Sequence, residues 1–202
     1  MKKHSVLYQN LFFTLYVFAL GAVLFLFVLA VYHPYASGRT TKLSAAKDES
    51  FLTYKLIHPL HEIEATSKDV DCSIDYNDTT KTIQSTAFSA DVSSFDSGNS
   101  NRDSHAMEVL DALTFPTVSF QSKSIIRSGM NLTVSGDLTF HGQTKPVDFI
   151  ATTSSDNNKL TVQGTANVSL TAFGIDRPSL MMIPVQDTLR ISFTMVFPVS
   201  SK

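Results

Sequence analysis

The run Arg102-Asp103-Ser104-His105 holds the three side-chain types of a hydrolytic triad within four positions. A serine nucleophile needs a base at hydrogen-bond distance and an acid that orients the base. Neighbours on a short helix point in different directions, so these side chains cannot converge and we expect no enzymatic activity. Asp103 and Ser104 are instead predicted to cap a helix. Arg102 and His105 are predicted to tie that helix to the rest of the domain or to hold a ligand headgroup.

Two histidines and one cysteine are the residues that could bind a metal ion. Pro59 lies between His58 and His61 and opposes a helix that would aim both rings the same way. Two ligands are too few for a metal site, so the sequence predicts a structural turn here and no metal. Cys72 is the only cysteine, which excludes a disulfide bond within the chain. We expect it to be a small core residue.

The charge of the chain is unevenly distributed. All 18 acidic residues lie from Asp48 onward, together with only 11 of the 16 lysines and arginines. The domain after the N-terminal region is therefore acidic and has no basic stripe. Such a surface is a poor partner for nucleic acid or for anionic lipid headgroups.

The N-terminal region predicts a membrane anchor. Leu11–Tyr32 is uncharged and almost wholly apolar, and as a helix it reaches about 33 Å, enough to cross a bilayer core. Lys2 and Lys3 favour a cytoplasmic N-terminus. We expect an uncleaved transmembrane helix in residues 1–33, with a cleaved signal peptide as the alternative. Residues 34–50 are small, polar and basic without periodicity, which indicates a linker.

The most regular pattern of the domain, residues 51–202, runs from Asn131 to Ile150. Apolar residues alternate with polar ones up to Phe140, as in a half-buried β-strand. The stretch His141–Pro146 interrupts the alternation, and Gly142 and Pro146 both favour a turn. Alternation then resumes, so the unit is predicted to be a β-hairpin with one apolar face.

Similar alternation predicts about eight antiparallel strands in all. The other strands are expected within 51–61, 62–75, 81–92, 118–128, 160–170 and 189–197. Residues 101–113 change to a spacing of three to four, which predicts one short helix. Residues 173–187 predict an irregular loop with an apolar patch, Leu180–Ile183. Eight strands with one apolar face can close into a barrel with room for one small ligand, or pack as a solid two-layer sandwich.

Several short motifs occur in a fixed order between Tyr54 and Phe197. They are Phe95-Asp96-Ser97-Gly98-Asn99, Asn101-Arg102-Asp103-Ser104-His105, Phe115-Pro116-Thr117-Val118-Ser119-Phe120, Gly136-Asp137-Leu138-Thr139, His141-Gly142, Thr144-Lys145-Pro146 and Phe173-Gly174-Ile175. The ordered set resembles the YceI-like proteins, which are bacterial periplasmic polyisoprenoid-binding proteins with a lipocalin-like barrel. The resemblance implies an all-β fold, an eight-stranded antiparallel barrel with one short helix. Its apolar lumen would hold a long isoprenoid chain, that of a prenyl quinone or a prenyl phosphate.

The expected lumen follows from the inward parity of the strands. We predict that the ligand is lined by Phe88, Val118, Phe120, Leu132, Val134, Leu138, Phe140, Val162, Val168, Leu170, Ile191, Phe193 and Met195. A rim or headgroup role is predicted for Arg102, His105, Met107, Met181 and Met182, the methionines because thioether side chains repack easily.

Three functions stay open on the sequence: an isoprenoid carrier or sequestering protein beside a membrane, a solid structural or accessory domain with no ligand, and a hydrolase or metalloenzyme. We favour the first, with an isoprenoid lipid as the partner and no other cofactor. The expected location is the bacterial cell envelope, anchored in the inner membrane with the barrel in the periplasm, or secreted there after signal cleavage. The oligomeric state, a homodimer included, is not fixed by the sequence.

Overall fold

The computed structural model describes residues 38–199, which form a ten-stranded antiparallel sheet, a two-stranded ribbon and a short helix. The sheet strands are β1 (Thr40–Ser44), β2 (Phe51–His58), β3 (His61–Ser67), β4 (Val70–Asn77), β5 (Thr82–Asp91), β6 (Thr117–Ser128), β7 (Asn131–Phe140), β8 (Gln143–Asp156), β9 (Lys159–Ser169) and β12 (Thr188–Pro198). The ribbon pairs β10 (Ser179–Leu180) with β11 (Ile183–Pro184), and helix α1 (Ser100–Val109) lies between β5 and β6.

The connection between β3 and β4 forces the sheet to curl. The strand order is β1-β4-β5-β6-β7-β8-β9-β12-β2-β3, so β3 and β4 belong to opposite ends of the sheet. Only Lys68 and Asp69 separate them, and successive Cα atoms lie about 3.8 Å apart, so Ser67 and Val70 are within roughly 11 Å. On the other side of β4, the Ala46 N–H that follows β1 donates to the Val196 carbonyl of β12 at 2.7 Å. The sheet therefore curls round its inner face.

The prediction of an all-β fold with one helix is confirmed, but the predicted count of eight strands was wrong. Thr40–Ser44, placed in the predicted linker 34–50, pairs with β4 as an edge strand. Leu43 is its only apolar residue, too weak a signal for a strand. The predicted strand 62–75 is divided at Lys68 into β3 and β4. One continuous curled sheet also differs from the two separate sheets of a sandwich.

The predicted hairpin is confirmed with a tighter turn. β7 and β8 pair from Asn131 to Phe140, and the loop consists of His141 and Gly142 alone. Both have positive φ, 49° and 69°, which is the geometry of a two-residue hairpin turn matched to the twist of the strands. Pro146 lies inside β8 rather than in the turn. It is tolerated because that part of β8 pairs only with β7, the pairing with β9 beginning at Ile150.

The inner face of the sheet carries two clusters of buried side chains. One cluster includes Leu132, Val162 and Phe197, and the other includes Phe140 and Phe173. Most members are the alternate apolar residues of successive strands, because one parity of each strand faces inward, and Phe173 comes from the loop after β9. Half-buried side chains such as Phe149 and Phe193 pack against the first cluster, so the inner face is not filled throughout.

Helix α1 is shorter than predicted and is capped by a different residue. Asn99 precedes it, and its side-chain oxygen accepts hydrogen bonds from the N–H groups of Asn101 at 3.1 Å and Arg102 at 3.2 Å. The predicted caps, Asp103 and Ser104, lie inside the helix instead, Asp103 at the end of its first turn. The helix ends at Val109, and residues up to 113 form turns.

The predicted anchor, Leu11–Tyr32, lies outside the described residues. Within residues 38–199, no helix has the length and apolar character needed to cross a membrane.

Asp187 holds the two ends of the long loop between β9 and β12. Its carboxylate accepts from the Ser169 hydroxyl at 2.6 Å, and from the Thr171 N–H at 2.9 Å and hydroxyl at 3.0 Å. The Leu170 N–H donates to the Asp187 carbonyl at 2.9 Å. The hydrogen bond from Ser169, followed by that from the Thr171 N–H, lowers the pKa of Asp187 below its ordinary value.

We predict that Asp187→Asn lowers the melting temperature by roughly 2–4 °C at pH 7, because a net loss of about 1 kcal/mol in hydrogen bonding has that effect in a domain of this size. Because the pKa of Asp187 is lowered in the folded state, its ionised carboxylate stabilises the fold at pH values above the ordinary pKa of about 3.9. This stabilisation is lost as the pH falls through the folded-state pKa. The difference between variant and wild type in thermal melts should therefore be smaller at pH 2 than at pH 7. Asp176→Asn, at an exposed position in the same loop, is the control. An equal effect of both variants at both pH values would contradict the prediction.

Candidate functional site

The curled sheet encloses an apolar cavity of about 270 Å³. Side chains from the inner faces of the strands supply most of its wall, and helix α1 supplies another part. Every residue predicted to line the lumen lies in this wall: Phe88, Val118, Phe120, Leu132, Val134, Leu138, Phe140, Val162, Val168, Leu170, Ile191, Phe193 and Met195. Their role in binding a ligand stays a prediction.

The inward side chains do not fill the space between them. Phe88, Phe149 and Phe193 point inward but remain only half-buried. By contrast, Leu132 and Val134, in the cluster that includes Phe197, are each 3% exposed. Water therefore reaches apolar surface inside the sheet, which a solid core would have covered. Covering that surface with an apolar ligand is favourable.

Three phenylalanines form a continuous row on the cavity wall, which we call the aromatic band: Phe120, Phe149 and Phe193. The ring centroids of Phe120 and Phe149 are 5.3 Å apart, and those of Phe149 and Phe193 are 5.5 Å apart, both edge to face. These are favourable geometries for aromatic pairs. The band spans five neighbouring strands, from β6 through β8 to β12.

Polar side chains reach the cavity where helix α1 meets β2. Arg102 donates from Nε to the Ser97 hydroxyl at 2.8 Å and from Nη2 to the Ser97 carbonyl at 2.7 Å. The Ser97 hydroxyl in turn donates to the Asp103 carboxylate at 2.5 Å. Burial, and next the charge of Asp103, raise the pKa of Tyr54, while Arg102 lowers it. The charged side chains of the wall thus lie together in one region, which also includes His105.

The candidate triad residues do not converge. The Asp103 carboxylate is bonded to Ser97, and Ser104 is exposed. His105 Nδ1 instead faces the Glu108 carboxylate at 3.7 Å. These contacts give Ser104 no base, so this segment does not form a nucleophilic site.

The pair His58 and His61 forms the predicted turn. His58 is buried, its Nδ1 accepts from the Leu60 N–H at 3.1 Å, and its Nε2 donates to the Ile183 carbonyl at 2.9 Å. Both ring nitrogens of His58 are therefore occupied by the turn and by the ribbon. Residues 38–199 contain no cluster of three or more metal-binding side chains.

Cys72 packs against the buried cluster that includes Phe197, as predicted for a small core residue, and it also lies in the cavity wall. Burial raises the pKa of its thiol to about 11, and the side-chain hydrogen bond with Thr86 lowers it only in part. A reactive cysteine has a lowered pKa, so this thiol is a poor nucleophile.

The structure adds wall residues that our prediction omitted. Phe149, Tyr54, Cys72 and Ile74 share the inward parity of their strands, so the alternation that identified the others could have found them. The inner face of helix α1 adds Ala106 and Val109, and Leu110 directly after the helix also lies in the wall.

The predicted rim is only partly at the cavity. Arg102 and His105 lie in the wall, but Met107, Met181 and Met182 do not. Met181 and Met182 form the turn of the ribbon, where positive φ angles leave their side chains 78% and 89% exposed.

Similar folds occur in solved structures. Burkholderia cenocepacia BcnA superimposes with a TM-score of 0.68 at 22% identity, covering 75% of this chain and 98% of BcnA. A polyisoprenoid binding domain from Saccharophagus degradans, implicated in plant cell wall breakdown, gives a TM-score of 0.61 at 12% identity, covering 80% of this chain and all of that domain. At these identities the likeness shows the fold alone.

Comparison of the sequence with known proteins identifies the protein family. A UPF0312 protein of Enterobacter sp. strain 638 is 28% identical over 132 residues, 64% of this chain and 66% of its own length. Protein YceI of Salmonella newport is 27% identical over 109 residues, 52% of this chain and 57% of its own length. The chain thus spans less than two thirds of each of these relatives. The sequence model of the YceI-like domain matches residues 43–197, more than three quarters of the chain. The predicted resemblance is therefore confirmed, and the chain belongs to the YceI-like domain family.

Proposed function

We propose that the cavity holds a polyisoprenoid chain, that of a prenyl quinone or a prenyl phosphate, for carriage or sequestration beside a membrane. The observation that carries the proposal is the open apolar cavity inside the curled sheet, with half-buried phenylalanines in its wall. The binding described for the Saccharophagus degradans domain, which has the same fold, supports the choice of ligand.

The chemistry of the wall favours a prenyl chain. Such a chain has no polar atoms, so it needs apolar area and no hydrogen-bond partners. Burial contributes about 25 cal/mol per Å², or about 0.8 kcal/mol per methylene. The polar region with Arg102, Asp103 and His105 lies at one place in the wall only, so we expect the headgroup there and the tail along the rest of the cavity.

The proposal includes a membrane tether. Leu11–Tyr32 would anchor the chain in the inner membrane, with the barrel in the periplasm of a bacterial cell, or the segment would be removed after export as a signal peptide. A tethered domain would stay beside the bilayer in which prenyl lipids dissolve. This part of the proposal comes from the sequence, because the segment lies outside the described residues.

Native mass spectrometry followed by organic extraction tests the ligand directly. The full chain would be purified from bacterial membranes in a mild non-ionic detergent. We expect one prenyl lipid per chain. Ala166→Phe is the matched control, because Ala166 is a half-buried wall residue and a larger side chain there fills the cavity. A bare mass, with no uptake of added prenyl quinone or prenyl phosphate, would contradict the proposal and leave a ligand-free structural domain.

Alkylation of Cys72 should report whether the cavity is occupied. Its raised pKa predicts labelling by a small neutral maleimide about 100-fold slower than at an exposed cysteine, with the rate still rising up to a pH near 11. A prenyl alcohol of four isoprene units should slow the reaction further. The double variant Cys72→Ser with Asp71→Cys moves the thiol to the exposed neighbouring position, where the alcohol should have no effect. Equal protection of both thiols would argue against binding in the cavity.

A substitution of Arg102 tests the position of the headgroup. We expect Arg102→Met to weaken the binding of a prenyl quinone about tenfold, the loss that corresponds to one charged hydrogen bond of roughly 1.4 kcal/mol. Binding of a prenyl hydrocarbon without a headgroup should not change, whereas a collapse of the helix would weaken both. Arg190→Met, on the outer face of β12, is the control. Equal weakening of both ligands by Arg102→Met would refute the headgroup assignment.

A further inference from the structure

The aromatic band crosses the middle of the cavity rather than its end. On β12, Phe193 lies between Ile191 and Met195, and all three line the cavity. Ile191 pairs with Tyr54 on β2, so the polar region of the wall lies on that side of the band. Met195 lies on the other side. A chain whose headgroup sits in the polar region must pass the band to reach the far part of the cavity.

Two glycines on the intervening strands let the outer rings lie against the wall. Gly136 of β7 and Gly164 of β9 are at inward positions. A Cβ atom at Gly136 would lie 2.3 Å from the backbone carbonyl oxygen of Gln121 and 2.5 Å from Cζ of Phe120, and one at Gly164 would lie 2.5 Å from Cζ of Phe193. These distances are too short for any side chain, and glycine otherwise weakens a strand interior. Glycine at both positions therefore leaves room for the two outer rings next to the wall.

The space that the band leaves is small for a long isoprenoid. The cavity of about 270 Å³ is just below the range of roughly 300–1,000 Å³ that encloses drug-sized ligands. A chain of eight or more isoprene units is considerably larger than such a ligand. The rings of Phe120, Phe149 and Phe193 occupy volume at the point where the tail must pass.

We propose, on the basis of the function proposed above, that the aromatic band sets the length of prenyl chain that this protein accepts and selects chains of only a few isoprene units. Phe149 is the central residue of the band, because its ring contacts both other rings and does not lie against a glycine. Removing its ring widens the passage without disturbing the close contacts at Gly136 and Gly164. Longer chains can then enter the far part of the cavity.

The test measures the chain-length profile of the bound lipid. The full chain in mild detergent would be incubated with an equimolar mixture of benzoquinones that carry two, four, six or eight isoprene units, separated from free lipid, extracted and analysed by mass spectrometry. We expect Phe149→Ala to increase the ratio of eight-unit to four-unit quinone about tenfold, since a change of one methylene in the fit of an apolar pocket has at least that effect. Phe149→Leu should give a smaller increase, and Ala166→Phe should lower the ratio or abolish binding.

Ile150→Ala is the matched control, since Ile150 is next to Phe149 on β8 but faces outward and is 64% exposed. Its profile should equal that of the wild type. Melting curves of each variant identify one that does not fold, and Phe149→Leu preserves the test if Phe149→Ala is lost. An unchanged ratio in folded Phe149 variants, or a wild type that prefers the eight-unit quinone, would overturn the inference on the band alone. A wild type that binds none of the four quinones would overturn the proposed function as well.

Discussion

Two residues, Lys68 and Asp69, impose the constraint on which the rest of the structure depends. They join β3 and β4, which belong to opposite ends of a ten-stranded sheet. Because so short a connection cannot span an open sheet, the sheet has to curl, and its apolar face turns inward on itself. The edge strand β1 and the hydrogen bond from Ala46 to Val196 complete the same closure on the other side of β4. Burial of the inner face then needs no second layer.

A face that curls on itself need not be filled. Alternate apolar residues pack against one another near the strand ends, in the clusters around Phe197 and Phe140. Other inward side chains are only half-buried, and a cavity of about 270 Å³ remains, lined by members of both clusters. Glycines at positions 136 and 164 give up side-chain packing, and the ends of the Phe120 and Phe193 rings lie next to them. The charged region near Arg102 makes one part of the cavity wall polar, so the two sides of the cavity differ chemically.

Much of the fold and of the cavity wall was predictable, because the period of two decides which residues of a strand face inward. That is why all thirteen predicted lining residues lie in the wall, and why Phe149, on the same parity, could have been included. The failures have local physical causes. The strand Thr40–Ser44 has one apolar residue and owes its conformation to pairing with β4. The helix cap is Asn99 rather than Asp103, since Ser97 bonds to the Asp103 carboxylate. The exposed turn at Met181 and Met182 depends on positive φ angles that the sequence does not indicate.

The most direct measurement of whether the cavity is the binding site is the methyl NMR spectrum of the full chain during titration with a prenyl quinone. The chain provides its own control, because Val162, Ile191 and Met195 have methyl groups in the cavity wall, whereas Ile126, Met130 and Ile150 are 64–69% exposed. Saturable shifts confined to the first set are expected at one quinone per chain. Shifts confined to the exposed methyl groups, or no shifts in either set, would contradict a ligand-binding cavity.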